Sequence, residues 1–200
     1  MNLLIKNTLI TALMVILTGC GTKVTRTSVD ETIDLSGAWN DTDSRQVSAA
    51  MIDDMLEQRW LRVYKKKNNG RAPTVIVGRI RNRSHEHINV KTFISDIERA
   101  VINSGEVEFV ASNDERGEIR DERKDQDLHS SAKTRKAMGQ EIGADFMLQG
   151  QINTIVDAHK KTQVRYYQVD LTLISLKNNR KVWVGQKKIK KLVEGARIRP

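Results

Sequence analysis

Apolar residues recur at helical spacing through the first part of the mature chain: Val47, Met51, Met55 and Leu56, continued by Trp60 and Val63. Repeats of three and four residues gather into one apolar stripe on a helix. They predict a first helix over 44–63, with Thr42 or Asp43 as its N-cap. Lys65-Lys66-Lys67-Asn68-Asn69-Gly70 breaks the stripe and reads as a solvated loop. The rhythm then changes. Thr74-Val75-Ile76-Val77 is a β-branched run behind Pro73, which predicts a buried strand continuing through 78–84. A second helix is expected over 90–103. Phe93, Ile94, Ile97 and Val101 form its apolar face, and Gly105 closes it. Val107-Glu108-Phe109-Val110 predicts a second strand.

The second half alternates more than it coils. Residues 113–127 carry charges and a single aliphatic side chain, Ile119, so they form a solvated helix or loop. A third helix is expected over 130–142, with Ala137, Met138 and Ile142 inward and Gly143 as cap. Phe146, Met147, Leu148, Ile152 and Ile155 mark a strand over 145–156. Tyr167, Val169, Leu171 and Leu173 fall on one face of a strand over 165–176. Lys177-Asn178-Asn179-Arg180 is a turn, and 181–190 returns with Val182, Val184 and Ile189. A chain that ends on a hairpin after interleaved helices and strands predicts an α+β fold. Its sheet is mixed or antiparallel, has about four to five strands, and is packed by helices.

The N-terminus follows a different logic. An apolar run over 8–18 follows Lys6 and is too short to cross a bilayer, which takes ~20 residues. It has the length of a signal-peptide core. It ends in Leu17-Thr18-Gly19-Cys20, which resembles the bacterial lipobox. The resemblance implies thioether lipidation of Cys20, cleavage after Gly19 and acylation of the new N-terminus. Gly21, where an Asp would favour inner-membrane retention, points to the outer membrane with the domain facing the periplasm. Cys20 is the only cysteine of the 200 residues, so no disulfide closes within the chain. The expected organisation is a signal peptide over 1–19, a lipidated N-terminus and flexible tether over 20–42, and one globular domain over 43–200. The tether 21–42 is polar and aperiodic; fully stretched it spans at most ~75 Å.

The net charge is +9, from 34 Lys and Arg against 25 Asp and Glu. Nucleic acid is the usual partner of such a balance, and export removes it. Membranes and acidic protein faces remain. His85-Glu86-His87 is the only close histidine pair, and no third ligand accompanies it, so no metal or cofactor is expected. No phosphate loop or nucleophile elbow is present, no small-molecule substrate is implied, and the lone cysteine is taken by the lipid. The chain does not read as an enzyme. Two basic clusters stand out. Arg79, Arg81 and Arg83 alternate and share one strand face, either as a partner-binding row or as charge that keeps an edge soluble. The C-terminal stretch holds Lys187, Lys188, Lys190, Lys191, Arg197 and Arg199 against Glu194.

Several stretches together resemble one family. They are Val75-Ile76-Val77 with Arg81-Asn82-Arg83-Ser84, Ile102-Asn103-Ser104-Gly105, and Phe109-Val110. Gly143-Ala144-Asp145-Phe146-Met147-Leu148-Gln149-Gly150 and the closing Val182-Trp183-Val184-Gly185 continue the likeness, as does Asp34-Leu35-Ser36-Gly37-Ala38-Trp39-Asn40. The pattern, over about 35–190, is similar to the LpoB family of penicillin-binding protein activators. The α/β framework is shared with curli-secretion lipoproteins and the N-terminal domain of TolB. The resemblance implies an outer-membrane lipoprotein that binds and activates a bifunctional class A penicillin-binding protein, and so regulates peptidoglycan synthesis in cell wall biogenesis. The alternative is a structural or accessory lipoprotein of an envelope secretion or surface-organelle assembly. This chain departs from the enteric pattern in two ways. It has a short tether where those members carry a long Pro- and Gln-rich one, and its domain is strongly basic.

Overall fold

The computed structural model describes residues 24–129 and 141–195. The signal peptide, Cys20, most of the third helix expected over 130–142, and Arg197 and Arg199 lie outside them. The chain divides into two units, 1–31 and 32–200. In the first, residues 24–31 hold no helix or strand, and a turn falls at Val29 and Asp30.

The second unit carries the fold. Helix α1 (Asp41–Glu57) is followed by α2 (Arg59–Lys67), β1 (Thr74–Arg83), α3 (Val90–Ser104) and β2 (Glu108–Phe109). Then come α4 (Asn113–His129), β3 (Phe146–His159), β4 (Thr162–Ser175) and β5 (Lys181–Glu194). The strands form one mixed sheet in the order β2-β1-β3-β4-β5. β1 pairs in parallel with both β2 and β3, and β3, β4 and β5 are antiparallel. The α+β class expected from the sequence is the one observed, and of the mixed or antiparallel sheet of about four to five strands the structure has the mixed form with five.

Helices α1 and α3 pack against each other on one face of this sheet. Val47, Met51, Ile52 and Met55 of α1 meet Phe93, Ile97 and Val101 of α3 in a single cluster with Val75, Leu148, Ile152, Leu171 and Leu173 from the strands. Side chains of this size, fully buried, each contribute roughly 1.5–3 kcal/mol. The other sheet face, to which the alternate residues of β1, β3, β4 and β5 point, is polar over most of its length, with Ile76, Met147, Ile174 and Val184 forming an apolar patch at one end.

Four local readings change. The loop expected over 65–70 starts only at Asn68, because Lys65, Lys66 and Lys67 form the last turn of α2. The single helix expected over 44–63 is two helices, because Gln58 is extended, with ψ 158°. The apolar stripe runs on across this break, and Trp60 turns its indole N–H onto the Met55 carbonyl at 2.7 Å. The N-cap is Asn40 rather than Thr42 or Asp43. Its side chain accepts from Asp43 N, and the Asp43 carboxylate accepts from Asn40 N, a reciprocal capping box. The strand expected over 107–110 pairs only through Glu108 and Phe109. Residues 113–127 are helical, within α4. The stop of α3 is as expected, with Gly105 left-handed at φ 66°.

Candidate functional site

β1 starts with its odd-numbered side chains inward. Val75 is fully buried and Val77 packs on the core. Continued strictly, that alternation would drive Arg79, Arg81 and Arg83 into the core. The strand avoids this with an irregularity. Val77 pairs with Leu148 and Ile80 with Gly150, so three residues advance on β1 against two on β3. The extra residue inverts the phase. Ile80 becomes buried, and Arg79, Arg81 and Arg83 are exposed on the polar face. None of the three has an acidic partner within 4 Å among the described residues.

Arg79 and Arg81 border a depression of about 260 Å³ lined also by Gln149, Gln151, Asp170 and Thr172. Its one acid is already engaged. Asp170 accepts from Asn153 Nδ2 at 3.1 Å, Gln168 Nε2 at 3.0 Å and Gln186 Nε2 at 2.9 Å. Gly150 lets β3 and β4 approach here, since a Cβ on it would sit 2.2 Å from the Asp170 carbonyl oxygen. Lys188 and Lys190 of β5 pair with Gln168 and Tyr166, so they point to the same face, and both are exposed. Free guanidinium forks beside a floor of amides suit carboxylates presented by a protein partner.

Residues 37–42, read from the sequence as the end of a tether, pack on the other side of the sheet as a strap. Gly37 adopts φ 66°, and a Cβ there would meet Val193 Cγ2 at 2.3 Å, so only glycine fits. Trp39 stands edge-on to Phe93 and Tyr167, at 6.2 and 5.6 Å between ring centroids. Glu86 organises the polar side of the strap. Its Oε1 accepts from Tyr167 Oη at 2.7 Å and Arg165 Nη1 at 2.9 Å, and its Oε2 from Trp39 N at 3.1 Å. Burial and the Glu86 carboxylate push the Tyr167 phenol well above its ordinary pKa. Lys191 binds Asp34 at 2.6 Å and Asp43 at 2.7 Å. Burial alone would lower its pKa, and the bonds to Asp34 and Asp43 more than offset this and raise it.

A second polar lock holds α2 to the start of β3. Asp145 accepts from Tyr64 Oη at 2.5 Å and from Thr74 N at 3.0 Å, and Arg71 pairs with it at 3.1 Å. Burial and the Asp145 carboxylate push the Tyr64 phenol up to about 12. His85 and His87 are both exposed, and the residue between them, Glu86, serves the strap instead. No cluster of three His, Cys, Asp or Glu suited to a metal occurs among the described residues. No helix among them is long and apolar enough to cross a membrane.

Among solved structures, the LpoB C-terminal domain from Escherichia coli is 15% identical, with TM-score 0.43, covering 74% of this chain and 99% of that one. The corresponding domain from Salmonella enterica is 12% identical, with TM-score 0.41 and the same coverage. Lipoprotein GNA1162 from Neisseria meningitidis is 13% identical, with TM-score 0.40, covering 60% and 83%. No curated protein matches the sequence. The family model described as peptidoglycan-synthase activator LpoB matches residues 43–189, from the capping box of α1 to the middle of β5. That span is most of the chain and takes in the arginine row and the Asp145 lock, and it makes this protein a member of the LpoB family.

Proposed function

We propose that this protein binds and activates a bifunctional class A penicillin-binding protein, from a lipid anchor on Cys20 in the outer membrane, with its domain in the periplasm. Family membership carries the coarser role, that of an activator of peptidoglycan synthases with no chemistry of its own. The finer reading rests on the lipobox-like Leu17-Thr18-Gly19-Cys20 and on the unpaired arginines of the polar face. In this reading Arg79, Arg81 and Arg83 grip carboxylates of the synthase. An activator works only by binding the active state more tightly than the resting one, and tenfold stimulation requires about 1.4 kcal/mol of that difference.

The strap shortens the tether. Only residues 21–33 separate Cys20 from the first anchored residue, Asp34, and 13 residues reach no more than about 45 Å. The docking region of the synthase must therefore come close to the anchoring membrane. The test uses the full-length lipoprotein with the class A synthases of its own organism, reading glycan polymerisation and crosslinking. We expect stimulation that the triple substitution Arg79→Gln, Arg81→Gln and Arg83→Gln cuts at least tenfold, and mass spectrometry should find the lipid on Cys20. Wild-type stimulation by the triple variant would sink the docking face. Failure to bind or stimulate any class A synthase would sink the function.

A further inference from the structure

We propose that the pocket beneath α2 is a separate binding site for an acidic peptide segment that carries one aromatic or aliphatic anchor side chain. The pocket has a volume of about 470 Å³ and lies between α2, the start of β3 and the β4–β5 turn. It shares no residue with the depression beside Arg79 and Arg81. The inference does not depend on the synthase reading.

The floor is aromatic. Phe146 stands edge-on to Trp60 at 5.1 Å and to Tyr64 at 5.4 Å between centroids. The polar atoms of these rings are already spent on the fold. The Trp60 N–H donates to Met55 O, and the Tyr64 hydroxyl to Asp145. What the rings offer an occupant is therefore carbon, extended by Val63 and Val182. An apolar side chain of leucine or phenylalanine size gains most there.

The rim is cationic. Arg59, Lys67, Arg180 and Lys181 line the same cavity, all exposed, and no carboxylate lines it. None of the four has an acidic partner within 4 Å among the described residues. Residues 1–23, 130–140 and 196–200 contain no Asp or Glu. Four like charges around an apolar floor focus a positive potential on the opening. The placement decides the ligand class. A buried phosphate needs donors inside the cavity, whereas here the charges stand outside and the apolar surface within. The cavity also meets the C-terminal end of α2, through Lys67 and Asn68, where helix carbonyls disfavour a deeply seated anion. An apolar anchor inward with carboxylates flanking it in solvent satisfies both parts, the anatomy of a small protein hot spot.

The experiment uses the full-length protein in nanodiscs of zwitterionic lipid. Fluorescence anisotropy follows a labelled pentapeptide, Glu-Asp-Phe-Asp-Glu, at low salt. We expect saturable binding that Arg59→Gln with Arg180→Gln weakens at least tenfold. Replacing the peptide's Phe by Ser should weaken it as much, and Lys91→Gln, at an exposed cation of α3 outside both basic surfaces, should leave it unchanged. These surface substitutions touch no buried contact, so folding is not at issue. Three results would overturn the proposal. Equal weakening by Lys91→Gln would reduce it to general attraction to a basic protein. Equal binding of the Ser peptide, or of inorganic pyrophosphate, would make the pocket an anion site. Binding of phosphatidylglycerol vesicles with the same dependence on Arg59 and Arg180 would make it a lipid site.

Discussion

The carboxylate of Glu86 receives three donors from distant parts of the chain: the Trp39 amide, Arg165 and Tyr167. Its side chain is only 18% exposed, and that of Arg165 22%. Removing it strands a guanidinium N–H and a backbone N–H and leaves the Tyr167 phenol only the Gly37 carbonyl at 3.1 Å, and orphaned donors of this kind are expensive. We expect Glu86→Ala to lower unfolding free energy by roughly 2–4 kcal/mol in urea titrations, with Glu86→Gln recovering part of the loss. In the sequence this residue draws attention only through its histidine neighbours, because ligand spacing is local and the three partners are not. Tyr64 makes a separate prediction. In the unfolded chain its phenol ionises near 10, and in the folded protein it keeps its proton to about 12. Between those values the unfolded state has already lost the proton, so rising pH favours unfolding. The Tyr64 contribution is whole below pH 10 and gone above 12. Urea midpoints from pH 9 to 11.5 should fall more steeply for the wild type than for Tyr64→Phe, with Tyr167, also raised, supplying part of the slope that remains.

Each element was legible to the degree that its reason for forming lay inside its own sequence. α3, with its apolar face and Gly105 stop, was fully legible, as was the β4–β5 hairpin, whose alternation and turn are local. The break at Gln58 was not, because the stripe from Met55 to Trp60 keeps helical spacing while the backbone between them extends. The strap was hidden by composition. Its signals were Trp39 alone in a polar stretch, and the Asn40–Asp43 pair at capping-box spacing. The arginine row was readable from parity alone, but the irregularity that turns it outward was not. That device gives a sharp test. Deleting Gly78 removes the extra residue and leaves a regular strand in which Arg79 falls opposite Gln149 and Ile80 stays opposite Gly150, so Ile80 remains inward and the arginines remain on the polar face. No charge is buried by the deletion. The variant should therefore keep its cooperative thermal transition in circular dichroism, as should Gly78→Ala, which crowds only the flexible Met147 side chain; loss of the transition in the deletion variant would show that the irregularity does more than set the phase.

Across the molecule, charge is unevenly used. The cations that hold the strap are paired, as Lys191 and Arg165 show, while those of the polar face, the α2 pocket and the rest of β5 are free to meet others. A long edge strand such as β5 invites a second chain to pair, and Lys181, Lys187, Lys188 and Lys190 along it repel one. The proposed docking of a synthase on the polar face should therefore be fast at low salt and slow as ionic strength rises. Stopped-flow association rates between 50 and 500 mM salt would show this as a steep fall, much shallower once Arg79, Arg81 and Arg83 are replaced by Gln. A salt-independent rate would count against an electrostatic face. The strap has one more consequence, a mechanical one. Under the proposed lipidation of Cys20, the domain would be pulled through its N-terminal end. Load entering at Asp34 reaches the Lys191 clamp first, then the Gly37 wedge against Val193, then Trp39 and Glu86, before it can unwind the first turn of α1. The bonds that a sequence reading assigns to a slack leash act as a strain relief, so the domain keeps its docking face in shape while the leash is taut.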